Sequence, residues 1–243
     1  MEAPAGPEVP LDPPSQGQNL GHAVSLRLRA DIVAGRLPPD GKLSIDELRR
    51  RFGISLSPLR EALARLSAEG FVVNEDKKGF RVAPVSLANL EEVTAMQVSL
   101  EPMAVRESVQ LGDARWEESL ILAHQRMHRL DRPAAKQGRN VEHWEALHRA
   151  FHMALIGACA RPLLLATCDT LQQLSDRYRR LFLGPQRFSR EIEVENQAMV
   201  DAALDRDADT VAALLAEHIA HTARGVRAVL QKRERGTGRV RAG

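Results

Sequence analysis

The sequence predicts a mainly α protein in which an N-terminal winged helix-turn-helix precedes an all-helical bundle. Three observations lead there. Two short capped helices and a strand–turn–strand segment occupy residues 44–82, apolar residues recur at helical spacing through the rest of the chain, and β-branched alternation is absent from that remainder.

The elements follow in order. Residues 1–19, rich in Pro and Gly, read as a disordered arm, with neither the basic start nor the apolar stretch of a secretory signal. Leu26, Leu28, Ile32 and Val33 mark a first helix over about 21–35, closed by Gly35 and the PPDG turn. Ser44 and Glu47 form a capping box that opens a short helix, and Gly53 breaks it. Ser57 is expected to cap the next helix, with Pro58 at its first position, where a missing amide hydrogen costs little. Leu59, Leu63 and Leu66 give that helix an apolar stripe interrupted by Arg60 and Arg65. After Gly70, FVV reads as a strand, NEDKKG as a turn and FRVA as the returning strand, which together make a wing.

Ser86 caps a helix that carries Leu87, Leu90, Val93 and Leu100 to about Gln110. Five further helices are expected near 114–131, 140–158, 162–184, 188–205 and 208–231, the last capped by Asp207. The expected organisation is an arm over 1–19, a winged helix over 20–84, a helical domain over 86–231 and a flexible basic tail over 232–243.

A net charge of +2 over 243 residues does not by itself mark a nucleic-acid binder. Its distribution says more, because residues 20–82 hold twelve Arg or Lys against eight Asp or Glu. Such a helix-turn-helix seats the N-terminal turn of its second helix in a major groove, so the pattern points to double-stranded DNA as partner. Two cysteines, Cys159 and Cys168, form no framework and fit a reducing cytoplasm. No run of eighteen apolar residues exists, so no membrane span is expected. His148 and His152, four apart, share one helix face and form a moderate metal signal that His218 on the last helix can join. An enzyme with a His-metal centre is the weaker alternative, since no HExxH glutamate and no nucleophile motif occurs. An effector-independent DNA binder whose helical domain only dimerises is another.

On GRLPPDGKLS, DELRRRFGIS and SPLREALARLSAEG the chain resembles the GntR family of bacterial transcription regulators. On LEPMAVRESV, HRAFHMALIGAC and ENQAMVDAALDRDADTVAALLAEH the remainder resembles the FCD ligand-binding domain of the FadR-type subfamily. The resemblance implies a cytoplasmic homodimer, a palindromic operator and a small carboxylate or related metabolite as effector, most often acting on a repressor. It implies DNA contacts at Lys42, Arg49, Leu56, Ser57, Arg60 and Gly79, with Lys77 and Lys78 at the wing tip meeting phosphate. Leu56 stands where the family usually has an arginine able to read guanine, so it touches a thymine methyl or packs instead, and operator preference shifts accordingly.

Many FCD domains bind Zn, Ni or Mn through an Asp or Asn and three His. Here His148 occupies the acidic position, His152 and His218 match two histidines, and Asn196 replaces the third. The implied metal ligands are therefore His148, His152 and His218, against the alternative of a polar pocket without metal. The implied effector pocket includes Gln97, Arg149 and Asn196, Gln97 standing where the family often has an arginine.

Overall fold

The computed structural model describes residues 20–76, 78–129, 141–183 and 190–240. The arm expected over 1–19 and the wing residue Lys77 lie outside them. The chain divides into two compact units, Met1–Pro84 and Val85–Gly243.

In the first unit, α1 (Leu20–Val33), α2 (Ile45–Phe52) and α3 (Leu56–Ala68) stand with β1 (Lys42–Leu43), β2 (Val72–Glu75) and β3 (Gly79–Val82). Val24, Leu28 and Ile32 recur every four residues on α1 and are fully buried with Leu59, Ala62, Leu63 and Leu66 of α3. The strands form an antiparallel sheet in the order β1-β3-β2, with Leu43 opposite Phe80 and Val72 opposite Val82. Two strands are legible from the sequence. β1 is too short to show alternation and exists through its pairing with β3. Ser44 caps α2 as expected, its hydroxyl accepting from Glu47 N, and Gly53 ends that helix with φ +63.

One cap is displaced. α3 begins at Leu56 with Ser55 at the N-cap, so Ser57 and Pro58 are its second and third residues rather than its cap and first position. The missing amide hydrogen of Pro58 is tolerated there because first-turn amides have no partner within the helix. The buried carboxylate of Asp31 joins α1, the turn after it and α2. It accepts from Arg36 Nε at 2.8 Å and Arg51 Nη2 at 2.6 Å, with Arg27 Nε at 3.9 Å.

The second unit comprises α4 (Leu87–Leu111), α5 (Ala114–His128), α6 (Val141–Leu155), α7 (Pro162–Phe182), α8 (Arg190–Leu204) and α9 (Ala208–Val240). Its main core gathers Val105, Leu120, Phe151, Leu155, Met199 and Leu215. A second cluster joins Leu90 of α4 to Tyr178, Phe182, Val226 and Leu230. Ser86 caps α4, and the Tyr178 hydroxyl holds that start by accepting from Ser86 N and donating to Asn89 Oδ1. Asp207 accepts from Thr210 N at 3.0 Å and opens α9 as expected. The tail expected over 232–243 is not loose along its length, because α9 continues to Val240. Extending a formed helix costs far less than nucleating one.

Gly112 ends α4 where the Trp116 ring leaves no room for a side chain. A Cβ there would fall on that ring and lie 2.7 Å from Ser108 O. The ring cannot retreat readily, since its Nε1 donates to Ala154 O at 2.9 Å and the Arg206 guanidinium lies 5.2 Å from its centre. G112A is therefore expected to destabilise the helical unit by roughly 1–3 kcal/mol. An unchanged urea midpoint would refute that packing.

Candidate functional site

In the first unit, burial of Leu59, Ala62, Leu63 and Leu66 turns the opposite face of α3 outward. Ser57 and Arg60 are exposed on it, and Leu56 is 37% exposed. Arg60 makes no ion pair with any described residue, so its guanidinium is available to a base edge or phosphate. Arg49 projects from α2 with Asp46 only at 3.9 Å, and Lys42 is exposed on β1. Arg51 is different, because Asp31 takes its guanidinium and gives it a structural role. At the wing, Gly79 has φ +84, a left-handed geometry that favours glycine, and the Lys78 side chain is 76% exposed.

In the second unit, His148 and His152 of α6 and His218 of α9 converge. All three are buried, and one ring nitrogen from each lies within 4.8 Å of the others. The Nε2 atoms of His148 and His152 are 3.2 Å apart, and Trp144 stacks on the His148 ring at 4.8 Å. Burial, then the neighbouring imidazoles and the Arg179 charge, hold the pKa values of His148 and His152 well below the ordinary 6.5. Their rings are therefore neutral at physiological pH and carry lone pairs. The protein does not fix where their ring protons sit, since Nδ1 of each is buried without a hydrogen-bond partner. His218 differs, because its Nδ1 donates to Glu195 Oε2 at 2.7 Å, which leaves Nε2 as its lone-pair nitrogen.

Three imidazole nitrogens facing one small space fit a divalent transition metal in a three-histidine set. A second group, Glu145, His148 and Asp176, also brings ligand atoms within 4.8 Å of one another. It already holds a cation, because Arg179 Nε donates to Glu145 Oε2 at 3.2 Å and Arg179 also pairs with Asp176. The histidine triad is the better metal position.

A cavity of about 10 Å³ lies against the triad, lined by Gln97, Gln172, Ser175, Arg179, Ile219 and Thr222 together with the three histidines. That is room for one water or an ion. Gln97 is one of its lining residues, its amide donating to the buried Glu101 carboxyl at 2.8 Å. Gln172 donates to the other oxygen at 2.7 Å. Burial pushes the Glu101 carboxyl up to about 7 even though both amides and Arg179 favour its charged form.

Two expected pocket residues are placed elsewhere. Arg149 is half-exposed and turns to Asp169 at 3.7 Å, where water and a carboxylate solvate its charge. Asn196 is buried but absent from the cavity wall, and its Oδ1 has no hydrogen-bond partner. Sequence reasoning missed Arg179, Gln172 and Glu195. The i,i+3 pair His218 and His221 was the available signal for a carboxylate such as Glu195, whose other oxygen accepts from His221 Nδ1 at 2.6 Å.

A winged helix with an outward recognition face and a helical domain enclosing a buried polar site describe a DNA-binding transcription regulator. Comparison with known proteins agrees. Residues 20–82 match the model of "Bacterial regulatory proteins, gntR family", and residues 92–221 match that of the FCD domain. The chain is 37% identical over 203 residues to the HTH-type transcriptional regulator BphR of Paraburkholderia xenovorans (strain LB400), covering 83% of each. It is 30% identical over 196 residues to the HTH-type transcriptional repressor GlaR of Escherichia coli (strain K12), covering 79% of this chain and 89% of that protein. Among solved structures, E. coli McbR/YncC superposes with a TM-score of 0.73 at 21% identity, over 89% of this chain and 99% of that one, a likeness of fold. The chain belongs to the GntR family of transcription regulators, in the branch that carries an FCD domain.

Proposed function

We propose that this chain is a cytoplasmic, homodimeric repressor that binds a palindromic operator and answers to a small organic acid or related metabolite. We further propose that a divalent transition metal, Zn, Ni or Mn, is held by His148, His152 and His218. The observation that carries the sensing half is the buried triad of imidazoles with an ion-sized cavity beside it. The name of GlaR, a repressor, supports the sign of regulation. One recognition helix per chain reads a half-site, so two chains and an inverted repeat are needed.

When bound, such an ion supplies positive charge and an open coordination place for a carboxylate. The chain's own residues set the rest. The neutral rings of His148 and His152 cancel none of the ion's charge, and Arg179, paired with Glu145 and Asp176, also lines the wall. An organic acid does not fit the cavity as it stands, so entry must part the amides of Gln97 and Gln172 from Glu101. Those amides belong to α4 and α7, and α4 follows the wing after only four residues, 83–86. Effector entry is thereby coupled to the start of the helix that the wing continues into, and it is allosteric insofar as it changes DNA affinity.

Elemental analysis of untagged protein, joined to operator selection with and without small carboxylates, tests this reading. A metal-free protein after incubation with Zn and Ni would overturn the metal site, and affinity indifferent to every acid would overturn the sensor.

On the DNA side, R60A is expected to lose roughly 1–3 kcal/mol of specific binding while the fold persists. Gel shifts at fixed salt decide, and equal affinity for the selected operator would remove Arg60 from the reading face. L56R is expected to move the selected motif toward a guanine at the base it reaches, by a similar energy. Identical motifs for wild type and L56R would show that position 56 reads no base.

A further inference from the structure

We infer that Glu195 and His221 form a clasp that positions His218 as a metal ligand. The Glu195 carboxylate fixes the proton of His218 on Nδ1, so the Nε2 lone pair is the one offered to the triad, and His221 holds the other carboxylate oxygen. The inference rests on the metal reading proposed above and names the residues that orient its third ligand.

The geometry is specific. One carboxylate of α8 spans two rings of α9, with Oε2 2.7 Å from His218 Nδ1 and Oε1 2.6 Å from His221 Nδ1. Both oxygens are thus committed, and the carboxylate cannot rotate without breaking one bond. His148 and His152 have no such partner, their Nδ1 atoms being buried and unbonded. His218 is therefore the one ligand whose tautomer is set before an ion arrives. Its ring centre lies 5.2 Å from that of His152 and 5.7 Å from that of His148, close enough for one ion to bridge them. A carboxylate that accepts from the outer ring nitrogen raises the basicity of the ligand ring. The clasp also runs outward, from His218 with its side chain 3% exposed to His221 at 38%. Changes at Glu195 or His221 therefore meet solvent rather than core.

The test uses the full chain as wild type, E195A, E195Q and H221A. Nitrogen-15 imidazole spectra of the metal-free protein are expected to show His218 protonated at Nδ1 in wild type and redistributed toward Nε2 in E195A. Zinc affinity, measured by competition with a chromogenic chelator, is expected to fall about 10- to 100-fold in E195A. E195Q, isosteric but with a single accepting oxygen, should fall between, and H221A should lose less than E195A. Metal-free melting temperatures should stay close to wild type, which a merely structural bridge would not allow. His218 protonated at Nε2 in wild type, or spectra and zinc affinity unchanged in E195A and E195Q, would overturn the clasp. Wild-type protein that takes up no zinc would overturn the metal reading instead, while the tautomer measurement decides the clasp's hold on His218 without any metal.

Discussion

Replacing His152 with alanine is expected to abolish metal retention by the purified protein and with it the rise in melting temperature that zinc gives wild type. His152 neighbours both other rings, with its Nε2 3.2 Å from that of His148 and its ring centre 5.2 Å from that of His218. Removing it leaves two nitrogens that no longer enclose an ion. The stability tied to the ion is lost by mass action, about 2.7 kcal/mol when free metal stands at 100 times its dissociation constant. Packing is lost too, because His152 is buried beside Phe151. The metal-free proteins must therefore be compared first, and the zinc-induced increment read separately. N196A is the matched control, since Asn196 is buried in the same unit without lining the cavity, and it should retain metal. Stoichiometric metal in H152A would exclude the triad as the binding site.

The second large effect concerns pH. Glu101 is buried, and its pKa is raised from the ordinary 4.5 to about 7. The folded chain therefore keeps a proton that the unfolded chain has released. Glu101 costs nothing below about pH 4.5, and the folded state loses stability as pH climbs from there through 7. A displacement of that size corresponds to roughly 3 kcal/mol, fully expressed above pH 8. His148 and His152 act in the opposite sense, because unfolded histidine gains a proton below 6.5 that the buried rings refuse. The Glu101 contribution is therefore isolated by subtraction. Glutamine resembles the protonated acid, so E101Q should match wild type near pH 5 and exceed it by roughly 3 kcal/mol at pH 8.5 in urea unfolding. Parallel stability profiles for the two proteins would show that Glu101 is ionised throughout.

The DNA-binding half was read from local chemistry. Ser44 capping α2, the left-handed Gly53 and the stripe Leu59, Leu63 and Leu66 each depend on neighbours within a few residues. The same holds for Asp207 opening α9. His148 and His152 were legible as a pair because helical spacing alone puts them on one face. His218, seventy residues beyond His148, was a candidate on the last helix that only resemblance matched to the same site, since periodicity carries no spatial information across helices.

By itself, then, the sequence determined the kind and order of the helices, the wing, and which side chains a recognition helix would turn outward, since all of these follow from contacts short in sequence. Tertiary structure decided what lies far apart. It paired β1 with β3, committed Arg51 to Asp31 rather than to a phosphate, and turned Arg149 to Asp169 and away from the cavity. It brought Glu195 under His218, and Arg179 and Gln172 to a cavity with room for an ion and none for an acid. The reason is physical: a buried charge or ring nitrogen takes the partner that packing brings within hydrogen-bonding distance, and no spacing along one helix says which residue of another helix that will be.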